Sequence, residues 1–131
     1  MSQRLILVID DEVDTIDLIE AAFGRRGYEV IGAWNGQTGL QLARERRPAI
    51  ILIDLMLPEI SGFEVCQQLS HDAATAHIPR VILSARNSLA DQADALAAGA
   101  DRYVVKPVGM KVLIGLIEGL IGRPPTAAEV N

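Results

Sequence analysis

Aromatic side chains are scarce: two Phe, two Tyr and one Trp among 131 residues. A core of any size therefore has to be built from Ala, Leu, Ile and Val, which supply most of the 50% hydrophobic content. A single cysteine, Cys66, excludes an intramolecular disulfide framework and fits a reducing compartment. No apolar run approaches the roughly 20 residues that span a bilayer, and Met-Ser-Gln-Arg leads straight into a strand without signal-peptide architecture. Basic charge is also in deficit. A net charge of -5 argues against a nucleic-acid-binding surface on this chain. These absences predict a cytoplasmic, soluble protein that meets neither membrane nor nucleic acid, and the length suits one domain.

What is present is an alternation of two kinds of segment. Short apolar runs at 5–9, 49–53 and 81–83 read as strands buried on both faces, as parallel strands are. Residues 28–33, polar at Glu29, suit an edge strand, and 103–105 make a fifth. Stretches of helical period separate them, at about 14–25, 36–47, 62–70, 88–98 and 110–121. Gly27 is a candidate left-handed cap for the first, Pro48 ends the second and Gly99 the fourth. Five β-α units joined by right-handed crossovers give an α/β, doubly wound (βα)5 fold with helices on both faces of a parallel sheet. Residues 4–121 form the expected domain, and 122–131, with Pro124 and Pro125, the expected disordered tail or linker start.

In a parallel sheet the carboxyl ends of the strands share one edge, where ligands bind. Five chemistry-bearing residues fall at such ends: Asp10, Asp11, Asp54, Ser84 and Lys106. An Asp-Asp pair alone is an ordinary solvated turn. Joined by Asp54, three carboxylates repel one another unless some bind protons or a cation sits among them. Mg²⁺ suits such a place, because it takes a few carboxylate oxygens, keeps waters and accepts a substrate phosphate. Asp54 is then a candidate nucleophile toward phosphorus, needing no base to deprotonate it. Lys106 can meet a phosphoryl oxygen as a point charge and Ser84 can donate its hydroxyl to another. Pro107 holds Lys106 extended, and a cis Lys106–Pro107 bond is compatible with the site.

Taken in order, Asp10-Asp11-Glu12, Asp54-Leu-Met-Leu-Pro58 with Gly62, Ser84-Ala85-Arg86, and Gly99-Ala-Asp-Arg-Tyr103-Val-Val-Lys106-Pro107 resemble the receiver domain of two-component response regulators. Each motif is weak alone; the joint match, over about residues 4–121, is specific. The resemblance implies a flavodoxin-like sheet of order 2-1-3-4-5. It implies that Asp54 accepts a phosphoryl group from the phosphohistidine of a sensor histidine kinase or histidine phosphotransfer protein. Mg²⁺ would be held directly by Asp11, Asp54 and the Met56 main-chain carbonyl, with Asp10 acting through water. Lys106 and Ser84 would contact the phosphoryl oxygens, and Pro58 and Gly62 would shape the loop after Asp54.

It also implies a switch in which Ser84 moves toward the phosphoryl group and Tyr103 turns inward behind it. In the resting state Tyr103 is expected to be half-buried with its hydroxyl in water. The fourth helix, fifth strand and fifth helix are the surface expected to change. The fifth helix has only Lys111 and Glu118 as charges. With 113, 116, 117 and 120 toward the core, Val112 is left over, and Gly115 and Gly119 make a smooth face suited to a homodimer or an effector domain. Met56 and Arg86 occupy the positions that flank the hydrolytic water in the family. Methionine cannot orient a water and Arg86 can cover the phosphoryl group, so slow dephosphorylation is expected. On the first helix, where kinases dock in the family, Ile16 and Leu18 are candidate partner contacts, with Leu18 also readable as core. Cys66 is expected in the core, Trp34 in loop packing, and His71 and His77 in solvent.

Two other classes remain. A receiver-like interaction module independent of phosphate would typically lack an acidic residue or the lysine, and all are present here. A flavodoxin-like cofactor binder would carry a Gly-rich loop after the first strand, and an aspartyl-phosphate hydrolase a second acid and a substrate cap. The Gly-rich loop is lacking, and 131 residues leave no room for the cap.

Overall fold

The computed structural model describes residues 4–123. Five β-α units follow one another: β1 (Leu5–Ile9), α1 (Val13–Gly24), β2 (Glu29–Ala33), α2 (Gly36–Arg46), β3 (Ile50–Ile53), α3 (Gly62–His71), β4 (Arg80–Ser84), α4 (Leu89–Ala97), β5 (Arg102–Val105) and α5 (Met110–Ile121). All four strand pairings are parallel, in the order β2-β1-β3-β4-β5.

Period-two alternation divides the core in two. Leu7, Ile9, Ile51, Ile53 and Ile82 point to the side of α2, α3 and α4, against Leu40, Val65, Cys66 and Ala95. Ile6, Val8, Leu52, Val81 and Leu83 point to the side of α1 and α5, against Ile19, Phe23, Leu113 and Ile117. Because β1, β3 and β4 are buried on both faces, every position in them is apolar except Arg80 and Ser84, at the two ends of β4. Small residues set the helix–sheet distance: a Cβ on Gly39 would lie 2.4 Å from Ile9 Cδ1, and one on Gly32 2.8 Å from Ile16 Cγ2.

Helix termini differ from the sequence expectations in instructive ways. Ser61, Ser88 and Asn35 cap α3, α4 and α2 by accepting the N–H groups of Glu64, Asp91 and Thr38. Helix α2 ends at Arg46, because Arg47 precedes proline and is driven out of the helical region into a left-handed conformation (φ 45°). Helix α1 stops at Gly24, and the left-handed Gly27 (φ 91°) sits in the turn beyond it. Leu18 is not core: it is 54% exposed, whereas Ile16, Ile19 and Phe23 are the buried residues of α1. Trp34 likewise stands exposed. Cys66 is buried, with its thiol pushed up to about 12 by burial. Arg80, read as outside the strand, is buried; its guanidinium donates to Ser70 Oγ at 3.1 Å and the Ala76 carbonyl at 2.7 Å. The tail expected over 122–131 falls outside the described residues from 124 onward. No described helix is long and apolar enough to cross a membrane.

Gly62 ties this scaffold to the sheet edge that matters. Its N–H donates to the Leu55 carbonyl at 3.0 Å, and a Cβ there would stand 2.3 Å from the Asp54 carbonyl oxygen, against main chain that has no freedom to yield. Gly62→Ala is expected to lower stability by about 1–3 kcal/mol in urea unfolding; an unchanged midpoint would mean that the loop after Asp54 is softer than its packing implies.

Candidate functional site

The ladder hydrogen bonds continue one residue past the strands. Asp10 N–H donates to the Ala33 carbonyl (2.9 Å), Asp54 N–H to the Ile9 carbonyl (3.0 Å) and Lys106 N–H to the Ser84 carbonyl (2.9 Å). The main chains of all three are thus fixed by the sheet, and their side chains converge over its edge. Lys106 Nζ lies 2.8 Å from Asp10 Oδ2, 3.0 Å from Asp54 Oδ2 and 3.3 Å from Glu12 Oε1. The other carboxylate oxygens accept from main chain two residues on, Asp10 Oδ1 from Glu12 N–H at 2.9 Å and Asp54 Oδ1 from Met56 N–H at 3.0 Å. The peptide bond between Lys106 and Pro107 is cis.

Asp10 and Asp54 are only 2% and 6% exposed. Burial pushes the Asp10 carboxyl above its ordinary value, while the Lys106 ammonium and the Glu12 N–H pull it partly back. For Lys106 the balance is reversed. Burial opposes its charge, but hydrogen bonds to Asp10 and Asp54 outweigh that cost and hold the ammonium above the usual lysine range. One ammonium is therefore shared between two buried carboxyl groups.

Carboxylate oxygens of Asp10, Glu12 and Asp54 lie within 4.8 Å of one another, a spacing and donor chemistry that fit a hard divalent cation. Asp11 is exposed at the rim; with Glu12, Asp54, Met56 and Ala85 it lines a cavity of about 260 Å³ in front of Asp54. Glu12 is the member of this group that sequence reasoning passed over. Its place directly after Asp10-Asp11 was the available signal, but a glutamate opening a helix looks like an ordinary first-turn acid.

Ser84 is fully buried, with its hydroxyl accepting the Arg86 N–H at 3.3 Å. Tyr103 is half-buried, as expected; its hydroxyl departs from expectation in donating to the Arg86 carbonyl at 2.7 Å. Burial, then the nearby Asp91 carboxylate, raises the pKa of that phenol. Arg86 also departs from expectation, since its guanidinium is turned to Asp91, with Nε–Oδ2 2.9 Å and an Nη2–Oδ1 distance of 3.0 Å. A second, apolar groove of about 180 Å³ runs beside the site, between Thr15, Leu18 and Ile19 of α1 and Pro107, Val108 and Met110 after β5.

A sequence model of the response regulator receiver domain matches residues 6–118. The chain belongs to that family. Among curated relatives of this receiver, "Transcriptional regulatory protein AfsQ1" of Streptomyces coelicolor is 41% identical over 118 residues, 90% of this chain and 51% of that protein. "Transcriptional regulatory protein KdpE" of Mycobacterium tuberculosis is 40% identical over 127 residues, 97% of this chain and 55% of that protein. The receiver spans about half the length of these relatives. A solved putative response regulator from Chloroflexus aurantiacus superposes with a TM-score of 0.85 at 26% identity, covering 92% of this chain and 98% of that one. A CheY-like receiver domain protein from Methanospirillum hungatei gives 0.83 at 27%, covering 90% and 93%. The flavodoxin-like fold and the strand order are those of the family. Receiver domains are signalling domains that bind Mg²⁺ at an acidic pocket and interact with histidine kinases, and here the grouped carboxylates are Asp10, Glu12 and Asp54.

The shared ammonium makes a direct prediction. Lys106→Met leaves Asp10 and Asp54 as neighbouring buried carboxylates with no cation between them. The expected loss at pH 7.5 is about 1–3 kcal/mol, below the range for a fully enclosed pair because Lys106 still reaches water. Without Lys106 the folded Asp10 pKa rises further above its unfolded value near 3.8, and a carboxyl raised on folding is stabilised by protonation. The difference from wild type is therefore expected to shrink as pH falls from 7.5 toward that value. Urea unfolding at several pH values measures it; a pH-independent difference would exclude the charge explanation.

Proposed function

We propose that this receiver accepts a phosphoryl group on Asp54 from the phosphohistidine of a sensor histidine kinase or histidine phosphotransfer protein. The observation that carries this reading is the Asp54 carboxylate itself: held by the sheet, sharing Lys106 with Asp10, and facing a cavity large enough for a phosphoryl group. A carboxylate oxygen of Asp54 attacks phosphorus, the P–N bond to the donor imidazole breaks, and the ring nitrogen keeps the electron pair. Lys106 is already aimed at Asp54 and can follow the transferred oxygens. Ser84, at the adjoining strand end, can give its hydroxyl to another once it turns from the Arg86 N–H. Mg²⁺, when bound among Asp10, Asp11, Glu12, Asp54 and the Met56 carbonyl, would neutralise the charge that gathers in transfer.

The apolar groove beside α1 suits the phosphodonor partner, since Leu18 is exposed on it within reach of Lys106 and Pro107. A cytoplasmic location suits a kinase-fed receiver with one reduced, buried cysteine. In its response, Ser84 and Tyr103 act on the loop between them, because both hold Arg86 main-chain groups. The output face is α4-β5-α5, where Leu89, Leu96, Val105 and Val112 are exposed and the space over Gly115 and Gly119 is open. A second copy of this chain, related by a twofold axis, could cover that apolar surface.

Intact mass after incubation with acetyl phosphate and Mg²⁺ tests the phosphoacceptor. A one-phosphoryl gain is expected in the wild type and none in Asp54→Ala or with EDTA; no gain in a folded, Mg²⁺-binding wild type would favour a phosphate-independent interaction module. Met56, exposed at the mouth of the cavity, has no group to orient a water, so Met56→Asn is expected to speed phosphoryl loss; an unchanged rate would remove Met56 from control of the lifetime. Light scattering of the phosphorylated protein is expected to give the mass of a dimer, reduced to a monomer by Val112→Glu. A phosphorylated monomer at tens of micromolar would leave the face to a different partner.

A further inference from the structure

The expectation that Arg86 covers the phosphoryl group meets an obstacle in the structure. Arg86 starts at the rim of the acidic cavity: Ala85 lines it, and the Arg86 N–H donates to Ser84 Oγ. Yet its guanidinium grips Asp91, in the first turn of α4, through two parallel hydrogen bonds of 2.9 and 3.0 Å. Planar forks of this kind are the most orienting contact an arginine makes. Asp91 is placed for it by the start of α4: Ser88 caps the helix by accepting the Asp91 N–H at 3.0 Å, which presents the carboxylate three residues in. In an ordinary capping box the carboxylate reaches back to the cap's own N–H. Here each oxygen instead accepts from Arg86, with the Ser88 hydroxyl also close to the carboxylate.

We propose that Asp91 is a positioning residue that sets the lifetime of the Asp54 phosphoryl group by holding Arg86 away from it. This rests on the phosphoacceptor reading of Asp54. In the loss step a water attacks phosphorus, the bond to the Asp54 oxygen breaks, the carboxylate leaves with the electron pair, and inorganic phosphate departs as the water's proton passes to solvent. The attacking water must arrive opposite Asp54, from the open side of the cavity. A guanidinium laid over the phosphoryl oxygens obstructs that side. The same guanidinium cannot fork onto Asp91 and lie over the phosphoryl group together, so the two anions compete for it. The device works in both directions: Asp91 shortens the lifetime, and the phosphoryl group, by drawing Arg86, loosens the first turn of α4 at the edge of the output face.

The test uses wild type, Asp91→Ala, Asp91→Asn, Arg86→Ala and the Asp91→Ala/Arg86→Ala double variant. Each is phosphorylated with acetyl phosphate and Mg²⁺, freed of donor, and followed by intact mass. Both Asp91 variants are expected to lose phosphate more slowly, by roughly two- to fivefold, the range that an exposed ion pair commands. Arg86→Ala and the double variant are expected to decay at one common rate, because without the guanidinium Asp91 has nothing to hold. Asp91 variants that decay as wild type, or a slowing that persists in the double variant, would overturn the proposal while leaving the phosphoacceptor intact. A wild type that takes up no phosphoryl group would overturn the phosphoacceptor reading, and this proposal with it.

Discussion

The Lys106 ammonium, shared between two buried carboxylates, is the interaction on which the rest of the site depends. Asp10, Asp54 and Lys106 directly follow β1, β3 and β5, and the parallel sheet brings those three strand ends to one edge. Two carboxylates this deeply buried repel one another and lose hydration. The ammonium 2.8 and 3.0 Å away makes their charge tolerable and at the same time cross-links the edge. The arrangement is poised for addition: a divalent cation or a phosphoryl group changes a charge balance already held by one lysine.

Around that pair, the architecture is tightly packed at Asp54 and more loosely held in the loop after β4. Asp54 is clamped from behind by a ladder bond to Ile9 and by the close approach of Gly62. The loop after β4 is held differently. Residue 86 gives its N–H to Ser84, its carbonyl to Tyr103 and its side chain to Asp91, so one residue gathers the Ser84 hydroxyl, the Tyr103 phenol and the first turn of α4. Each of these contacts is a single hydrogen bond or an exposed fork, individually modest. The loop after β4 is thus tied to α4 by contacts of modest strength, whereas the sheet beneath is buried and apolar on both faces.

The fold was legible in the sequence for a physical reason. Parallel strands buried on both faces must be continuously apolar, and runs such as Ile50–Ile53 stand out against helices of period 3.6. Boundaries were less legible, because they depend on individual conformations: Arg47 leaves the helix because Pro48 follows it. Leu18 was ambiguous because a stripe widened by Ile16 and Leu18 does not say which of the two faces the sheet. Tertiary packing chose Ile16, whose side chain fills the space over Gly32. Trp34 was misplaced because the preference of a large aromatic for burial says nothing about whether a two-residue connection offers it anything to pack against.

Residue identity and order by themselves determined the chemistry at the sheet edge. Acids after the first and third strands, a hydroxyl after the fourth and a lysine after the fifth are local facts, and strand ends are local features. What only the tertiary structure decided is which of those groups touch. That Lys106 binds Asp10 and Asp54 together, that Glu12 joins them while Asp11 stays at the rim, and that Arg86 turns to Asp91 depend on side-chain directions over a twisted sheet. Spacing along a chain fixes none of these, because each pairing is settled by competition among several nearby partners of the same charge.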